Sequence, residues 1–324
     1  MPIITVIVPI FKVEKYIRQC VDSILQQSFR DFDLVLVDDG SPDNCPQICE
    51  DYAAQDRRIT VIHKKNGGLS DARNAGIDWA MENSDSQWLA FVDSDDYLFP
   101  DYLMTLYQTA QKEAADLVIC DFVRVNDQGE IVERKHRFFD LVTEDKEKLF
   151  EMLHSNWRII PAWNKLYHKN IFAQLRFAFG KIHEDNFAIP HVLWNCRRAA
   201  LVSDGLYYYR QRDNSIMKTE TSKSRLDLLE ALIEQFEFGM ERHIAPIENA
   251  AEIGFLYDYE ELKSGFNKQE KRRYKQLKNR FAKAFFNCPA NRSVKRFLGF
   301  CFTGLYGKLG FLYNRKRTSR KGRS

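Results

Sequence analysis

The sequence predicts an α/β fold in which helices cover both faces of a mainly parallel sheet, followed by a mainly helical C-terminal extension. Over the first 120 residues, short apolar runs alternate with segments whose apolar residues recur at helical spacing. This alternation is typical of strand–helix–strand units, which build a parallel sheet. After Asp121 the alternation ends, and a long segment over 224–242 carries apolar residues at helical spacing.

Each element is predicted by a local pattern. Short apolar runs bounded by polar residues predict strands at residues 3–8, 34–37, 59–62, 88–92 and 117–120. Helical spacing predicts helices over about 13–25, through 48–52, over 70–81 and after Pro100. The turn Asn126-Asp127-Gln128-Gly129 predicts a hairpin over 122–132, and an apolar helix is expected over 187–194.

The length of the chain predicts more than one structural unit. Its 324 residues exceed the roughly 100–200 residues of an ordinary domain. We expect a large domain over 1–220, with halves over 1–125 and 126–220, and a mainly helical region over 221–324. The boundary near 220 follows from composition, because Phe, Tyr, Lys and Arg become frequent beyond Asn249.

Basic charge is concentrated at the C-terminus. Six of the last ten residues are Lys or Arg, although the formal net charge of the whole chain is only +3. Such a block indicates an anionic partner. The aromatic, apolar segment over 294–313 has basic flanks, which predicts docking on an anionic membrane surface. Packing against the large domain is the alternative.

Cysteine usage and hydropathy predict a cytoplasmic protein, peripheral on the inner face of the cell membrane. Seven cysteines without a secretory leader do not indicate a disulfide framework. Cys45 and Cys49 have no second pair with which to bind zinc. No uninterrupted apolar run reaches the roughly 18 residues that a membrane-spanning helix needs.

A cluster of carboxylates follows the predicted strand over 88–92. Asp93, Asp95 and Asp96 cannot be packed inward without a large desolvation cost, so they must face water, a cation or a ligand. Asp93 and Asp95 are two residues apart and can act on one divalent cation. Hard oxygen ligands of this kind suit Mg²⁺ or Mn²⁺. The alternative is an acidic turn, with Asp95 or Asp96 as the N-cap of the next helix.

Loop segments follow the other predicted strands too. They are Pro9-Ile10-Phe11 and two polar clusters, Asp38-Asp39-Gly40-Ser41 and Lys64-Lys65-Asn66-Gly67-Gly68. The carboxyl ends of parallel strands share one edge of the sheet, where ligands of such folds bind. Four loops on one edge, three of them polar, therefore predict a ligand site.

The motifs on this edge resemble those of bacterial family 2 glycosyltransferases. The matching segments are IITVIVPIF at 3–11, SILQQSF at 23–29, LVDDGS at 36–41, GGLSDARNAG at 67–76 and FVDSDD at 91–96. The resemblance is close over about 1–125 and looser to about residue 215, and it implies the Rossmann-like GT-A fold. It also implies inverting transfer of a hexose or N-acetylhexosamine from a UDP-sugar, assisted by Mn²⁺ or Mg²⁺.

The resemblance assigns a role to each matching position. Pro9, Phe11 and Glu14 match the loop around the base and ribose, and Asp39 matches the carboxylate that accepts a hydrogen bond from uracil N3–H. Asp71 and Arg73 match a segment near the nucleotide, while Asp93, Ser94 and Asp95 match the ribose-binding and metal-binding segment. Where the family often has Tyr-Asn, this chain has Phe11-Lys12, so stacking is possible without a hydroxyl donor.

The residues also permit ordinary structural roles. Asp38 or Asp39 can form an Asx-turn toward Ser41. Arg73 suits bidentate contact with phosphate, but it can equally be a surface residue of a helix. Trp163 is either part of an acceptor wall or part of the core.

The general base is predicted in the run His183-Glu184-Asp185, which resembles the acceptor-side motif of the family. Inverting transfer needs a group that takes the proton of the attacking hydroxyl, and a carboxylate in a closed site suits this role. We expect Asp185 to be the base, with Glu184 second. Both carboxylates can instead cap the helix that follows, and His183 is more typical of a packed or solvent-facing histidine than of a ligand.

Two other classes of function compete with glycosyl transfer. A nucleotidyltransferase acting on a sugar phosphate also uses carboxylates and a metal, but its glycine-rich basic loop is missing from 9–14. A non-catalytic basic protein that binds membranes or nucleic acid leaves the carboxylates unexplained. We therefore expect synthesis of a cell-surface polysaccharide, with a glycan or polyprenyl-linked oligosaccharide as acceptor. We expect no nucleic-acid partner, and a homo-oligomer is compatible with the sequence.

Overall fold

The protein divides into two compact units, Met1–Thr219 and Glu220–Ser324. The computed structural model describes residues 1–134, 138–212, 221–249, 254 and 265–287. The segment over 294–313, for which membrane docking is predicted, lies outside the described residues. None of the helices in the described ranges is long and apolar enough to cross a membrane.

The first unit contains ten described strands, six α-helices and two short 3-10 helices at Trp157–Ile159 and Lys169–Phe172. The strands are β1 (Ile4–Ile10), β2 (Phe32–Asp38), β3 (Ile59–His63), β4 (Trp88–Phe91), β5 (Tyr97–Leu98), β6 (Leu117–Val125), β7 (Ile131–Glu133), β8 (Leu141–Thr143), β9 (Lys165–His168) and β10 (Ala199–Arg210). The helices are α1 (Ile17–Leu25), α2 (Cys45–Ala53), α3 (Leu69–Asn83), α4 (Tyr102–Glu113), α5 (Lys146–Ser155) and α6 (Glu184–Asn195).

The strands form one sheet in the order β3-β2-β1-β4-β9-β6-β10-β5, with β7 beside β6 and β8 beside β10. The first four strands in this order are parallel to one another. β9 then lies antiparallel between β4 and β6, and β10 runs parallel to β6. The strand order reverses beside β1, which separates β2 from β4, and this is where open α/β sheets bind ligands.

Alternation along β1 explains why helices cover both faces of the sheet. Ile4, Val6 and Val8 enter one large apolar cluster together with residues of α1, α2 and α4. Ile7 points to the opposite face, where a side chain at Gly76 of α3 would come within 2.3 Å of its Cγ2 atom. Successive side chains of a strand point to opposite faces of the sheet. A strand with apolar side chains on both faces therefore needs helices packed on both faces.

The predicted hairpin is confirmed. β6 and β7 pair in an antiparallel arrangement across the turn at 126–130, where the Gly129 N–H donates to the Asn126 carbonyl. Trp163 belongs to the core and not to an acceptor wall, the other alternative that the sequence allowed. Its ring stacks on Tyr207 at 4.4 Å and on Tyr209 at 5.2 Å between ring centroids.

The described part of the second unit is helical. It contains α7 (Ser222–Arg242) and α8 (Lys268–Asn287). Leu229, Ile233 and Phe236 of α7 pack with Phe281 and Phe285 of α8 in a separate apolar cluster. Ion pairs flank this contact, including Arg280 Nη2 to Glu237 at 2.5 Å and Arg273 Nη2 to Asp227 at 2.6 Å.

Candidate active site

Asp39 lies at the end of β2 and is held by the loop that follows β3. Its carboxylate accepts hydrogen bonds from Lys64 Nζ at 2.6 Å, Asn66 Nδ2 at 3.1 Å, Gly67 N–H at 2.9 Å and Gly68 N–H at 2.7 Å. A carboxylate offers about four acceptor positions, and the residue is 2% exposed. A uracil N3–H can reach this carboxylate only by displacing one of these donors.

Asp38 forms the Asx-turn that the sequence allowed. Its Oδ1 accepts the Ser41 N–H at 3.0 Å. Its Oδ2 lies 2.9 Å from His63 Nδ1, while His63 Nε2 lies 2.9 Å from Glu50. The hydrogen bond with Asp38 raises the pKa of His63. Asp38 is therefore a structural residue that joins β2 to β3.

The loop after β1 leaves two of its three predicted residues, Phe11 and Glu14, exposed to solvent. Pro9 is a buried residue of β1, opposite Val37 of β2. Glu14 accepts hydrogen bonds from the Asn44 backbone N–H at 3.1 Å and from its side chain at 2.9 Å, so it ties this loop to the start of α2. Phe11 is 41% exposed, which makes its ring available for stacking.

Asp71, in the first turn of α3, completes a chain of charges with Asp39. Lys64 Nζ forms an ion pair with both carboxylates. Gly67 closes against Asp71 so tightly that a Cβ at this position would lie 2.1 Å from the Asp71 Oδ2 atom. Asp71 and Asp39 therefore shape the loop over 64–68 from its two sides.

Arg73 is the centre of a network of three carboxylates. Its Nη1 donates to Glu184 at 2.6 Å and to Asp185 at 2.9 Å, and its Nη2 donates to Asp93 at 2.8 Å. The guanidinium also lies over the Phe177 ring at 5.2 Å. The carboxylates come from the end of β4 and from the first turn of α6, so one buried cation joins two distant segments.

This geometry excludes one of the alternatives for Arg73. The residue is 1% exposed, so it is not a surface residue of a helix. Both terminal nitrogens bind carboxylates, so they are not directed at a nucleotide phosphate. Phosphate contact would require Arg73 to leave Asp93, Glu184 or Asp185. In this structure Arg73 holds these three carboxylates together.

Burial raises the pKa of both candidate bases. For Glu184, burial and the repulsion of Asp185 raise the pKa to about 7, against the opposing effect of Arg73. For Asp185, burial raises the pKa and the charge of Arg73 opposes the rise. Asp185 Oδ2 accepts the Ala162 N–H at 3.2 Å. The hydrogen bonds from Arg73 and from the Ala162 N–H orient Asp185, and the raised pKa of Asp185 suits a general base.

Lys165 is a second buried cation near Asp185. It is 0% exposed, and burial lowers its pKa to about 7. Its Nζ donates to the Asn164 side chain at 2.7 Å and to the Pro161 carbonyl. The positive charge of Lys165 lowers the pKa of Asp185.

Asp93 and Asp95 each hold one arginine. Asp93 binds Arg73 through Oδ1, and Asp95 Oδ2 lies 2.5 Å from Arg212 Nη2. Their side chains are 24% and 19% exposed, whereas Ser94 between them is buried. Within the described residues, no other side chain donates a hydrogen bond to the second carboxylate oxygen of either aspartate. These two oxygens are the ones available to a cation.

Asp96 does not face water, a cation or a ligand as the sequence predicts, because hydrogen bonds from β10 satisfy its buried carboxylate. It is 1% exposed and accepts hydrogen bonds from the Tyr207 hydroxyl at 2.8 Å and from the Arg210 N–H at 2.7 Å. Burial raises its pKa well above the usual carboxyl range. Tyr207 also accepts the Asp93 N–H at 3.1 Å, so β10 supports the turn that carries Asp93 and Asp95.

The carboxylates fit a cation that arrives with a diphosphate. In the described parts of the chain, His, Cys, Asp and Glu form no group of three or more that can hold a metal ion. Mg²⁺ in nucleotide sites commonly takes one or two carboxylates and completes its shell with phosphates and water. Asp93 and Asp95 can supply those carboxylates.

Several contacts of this site have no signal in the sequence. Lys64 and Asn66 lie in a loop that the sequence assigns to the site, but their contacts with Asp39 were not predicted, and neither was the position of Lys165 of β9 near Asp185. Arg212 reaches Asp95 from beyond β10, 117 positions along the chain by its residue number. A sequence pattern places residues on a strand or helix, but contacts between distant segments depend on how the strands are ordered.

A family model described as Glycosyl transferase family 2 matches residues 5–176 of the chain. The chain is 34% identical to glycosyltransferase GlyA of Streptococcus pneumoniae over 264 residues, which cover 77% of this chain and 37% of GlyA. It is 34% identical to the uncharacterized glycosyltransferase EpsJ of Bacillus subtilis over 223 residues, covering 67% of this chain and 63% of EpsJ. The chain thus spans less than two thirds of either relative.

Solved structures share the fold. S. aureus TarS 1-349 in complex with UDP-GlcNAc superposes with a TM-score of 0.68 and 22% identity, over 87% of this chain and 81% of TarS. The mannosyltransferase PcManGT of Pyrobaculum calidifontis, in complex with GDP-Man and Mn²⁺, gives a TM-score of 0.56 at 14% identity, over 90% of this chain and 88% of PcManGT. These similarities confirm the fold that the sequence predicts, with the mainly parallel sheet extended by antiparallel strands.

Proposed function

The chain belongs to glycosyl transferase family 2, and from this premise we propose that it is an inverting glycosyltransferase. It transfers a hexose or N-acetylhexosamine from a UDP-sugar to a glycan or lipid-linked acceptor during synthesis of a cell-surface polymer. The family match includes Asp39, Asp93 and Asp95. A nucleotidyltransferase would also use such carboxylates, and a non-catalytic basic protein would leave them unexplained. Relatives at lower identity include the minor teichoic acid biosynthesis protein GgaA of Bacillus subtilis, at 27%.

The observation that carries this proposal is the network around Arg73. One buried guanidinium binds Asp93, on the edge predicted to hold the donor, and Asp185, the predicted base. Single displacement needs the base and the leaving group on opposite sides of the reacting carbon, at a fixed separation. A rigid cation bound to both carboxylates supplies such a fixed separation.

A uridine nucleotide is the proposed donor. The TarS structure that shares this fold was solved with UDP-GlcNAc, and the exposed Phe11 ring lies on the edge where a base would stack. Asp39 and the loop over 64–68 would contact the uracil after one donor to Asp39 is displaced. Pro9 and Glu14 support this edge from the strand and the first loop.

Asp185 is the proposed base. Its carboxylate takes the proton of the acceptor hydroxyl while that oxygen forms a bond to the anomeric carbon. The bond from this carbon to the diphosphate oxygen breaks, and UDP leaves with the electron pair. Burial and the negative charge of Asp93 keep the pKa of Asp185 raised, while Glu184 binds the same Nη1 atom of Arg73.

Asp93 and Asp95 are the residues that would hold Mn²⁺ or Mg²⁺. The cation would offset the charge that grows on the departing diphosphate. Ser94 keeps the two aspartates on the same short turn, which Tyr207 and Arg210 support from β10.

We further propose that the protein acts at the cytoplasmic face of the cell membrane, as the basic C-terminal residues suggest. Removing residues 294–324 should then release the protein from anionic vesicles in a flotation assay. Equal flotation of the full chain and the shortened chain would contradict this docking.

The test of the function uses the full chain with a panel of UDP-sugars, Mn²⁺ and a glycan acceptor, with UDP release and product formation as the readouts. Asp185→Asn should reduce transfer by about 10²–10⁴-fold, the usual contribution of general base catalysis. Asp204→Asn, the same substitution at an exposed position of β10, is the matched control.

The configuration of the product, measured by NMR, tests the mechanism. The anomeric configuration should be inverted relative to the donor, because one displacement forms no covalent intermediate. A product with retained configuration would contradict single displacement. Absence of transfer from every UDP-sugar, with transfer from another nucleotide sugar, would contradict the proposed donor.

A further inference from the structure

We propose that Arg212 couples cation binding to diphosphate binding, because Arg212 and the cation compete for the carboxylate of Asp95. The inference rests on the proposed function and concerns a residue to which neither the sequence motifs nor the comparisons assign a role. The diphosphate relieves the competition, since it offers Arg212 another anionic partner while it ligates the cation.

The two arginines at this edge differ in how firmly they are held. Arg73 is 1% exposed and binds three carboxylates, so leaving Asp93 would still leave it paired with Glu184 and Asp185. The Arg212 side chain is 23% exposed, and among the described residues it forms an ion pair with Asp95 alone. Arg212 is therefore the arginine that a cation at Asp95 would displace.

The surroundings of Arg212 permit a second position. Its guanidinium lies 5.2 Å from the centroid of the ring of Tyr16, the residue that precedes α1. Its Nε atom is buried without a hydrogen-bond partner in the described structure. By contrast, Arg210 is 3% exposed and donates to the Asp95 and Asp127 carbonyls and to Gln19. Arg210 is thus fixed, and it is a support rather than a mobile charge.

Charge decides the direction of the coupling. A divalent cation next to a guanidinium is repelled, and Asp95 cannot neutralise both charges. A diphosphate brings negative charge that can neutralise both, and a guanidinium is well suited to bind phosphate through two N–H groups. Coupling between two ligands is reciprocal, so the cation must strengthen nucleotide binding by the same factor.

The experiment measures Mn²⁺ binding to the full chain by electron paramagnetic resonance of free Mn²⁺, with and without UDP. Arg212→Gln removes the competing charge but keeps a polar side chain. It should bind Mn²⁺ alone at least about fivefold more tightly than the wild type, the lower end of typical coupling between sites. The gain in Mn²⁺ affinity that UDP produces should become smaller in this variant.

Two further variants isolate the charge of Arg212. Arg212→Lys keeps the positive charge, so its affinity for Mn²⁺ without UDP should stay close to that of the wild type. Arg198→Gln is the matched control, because Arg198 also forms one ion pair, with Glu144 at 3.2 Å, and also has a buried, unpaired Nε. Its Mn²⁺ affinity should equal that of the wild type.

The outcomes separate this inference from the proposed function. Equal Mn²⁺ affinities of Arg212→Gln and Arg198→Gln, without UDP, would show that Arg212 does not compete with the cation. Failure of UDP to strengthen Mn²⁺ binding in the wild type would also overturn the coupling. Sugar transfer, measured on the same wild-type sample, decides independently whether the proposed function stands.

Discussion

Two acidic parts of the same sheet edge are built in opposite ways. At the end of β2, Asp39 accepts four hydrogen bonds, all from residues 64–68. At the end of β4, Asp93 and Asp95 each bind one arginine, and those arginines come from α3 and from beyond β10. We refer to these parts as the Asp39 edge and the Asp95 edge.

The difference teaches which carboxylates hold the structure and which are available for chemistry. A buried carboxylate with every acceptor position filled stabilises the segment that supplies its donors. A carboxylate with one filled and one open oxygen can exchange its partner for a cation. Asp39 therefore holds the loop over 64–68 in place, whereas Asp95 can exchange Arg212 for a cation during the proposed reaction.

The largest expected effect is a loss of catalytic rate when the Asp95 edge is changed. Asp95→Asn should lower kcat by about 10²–10³-fold, the loss that follows removal of one group stabilising a developing negative charge. Its melting temperature should remain close to that of the wild type, since Asp95 is partly exposed and binds a single arginine. A large fall in melting temperature would mean that the Asp95 edge is also a scaffold.

The second largest effect is a loss of stability when the Asp39 edge is changed. Asp39→Asn leaves at least one buried donor unpaired, so the free energy of unfolding should fall by about 1–3 kcal/mol. Chemical denaturation measures this change, with Asp204→Asn as the control of equal chemistry at an exposed site. Unchanged stability with a kcat as low as that of Asp95→Asn would contradict the comparison.

The pH dependence of catalysis should show the burial of the base. Because burial raises the pKa of Asp185, and that of Glu184 to about 7, protonation should begin above the ordinary carboxyl range of about 4. Asp185 accepts a proton only when ionised, so kcat should fall as the pH decreases through this raised pKa. A pH–rate profile that stays flat down to pH of about 4 would exclude Asp185 as the base.

The smallest effect concerns His63, beside the Asp39 edge. Asp38 raises the pKa of His63, so the protonated form stabilises the fold. This stabilisation is complete below the pKa of the unfolded chain and is lost as the pH rises through the raised pKa. His63→Gln should therefore lower the melting temperature more at acidic than at alkaline pH. Because the ring is partly exposed, the difference should be small.

The strands and most site positions could be predicted because their signals are local. The apolar run before Asp93 and the run before Asp38 each fix a strand and the polar residues at its end. The partners of those residues could not be predicted in the same way. The sequence allowed phosphate contact for Arg73, and the structure shows that carboxylates of β4 and α6 hold both of its terminal nitrogens.

Sequence by itself determined the class of fold, the family and the edge of the sheet on which carboxylates gather. These properties follow from the spacing of apolar residues and from motifs within a few positions of one another. Tertiary structure alone decided that Arg73 lies buried between Asp93 and Asp185 and that Arg212 binds Asp95. The physical reason is that charge pairing acts through space, so its partners are set by the order of the strands and not by distance along the chain.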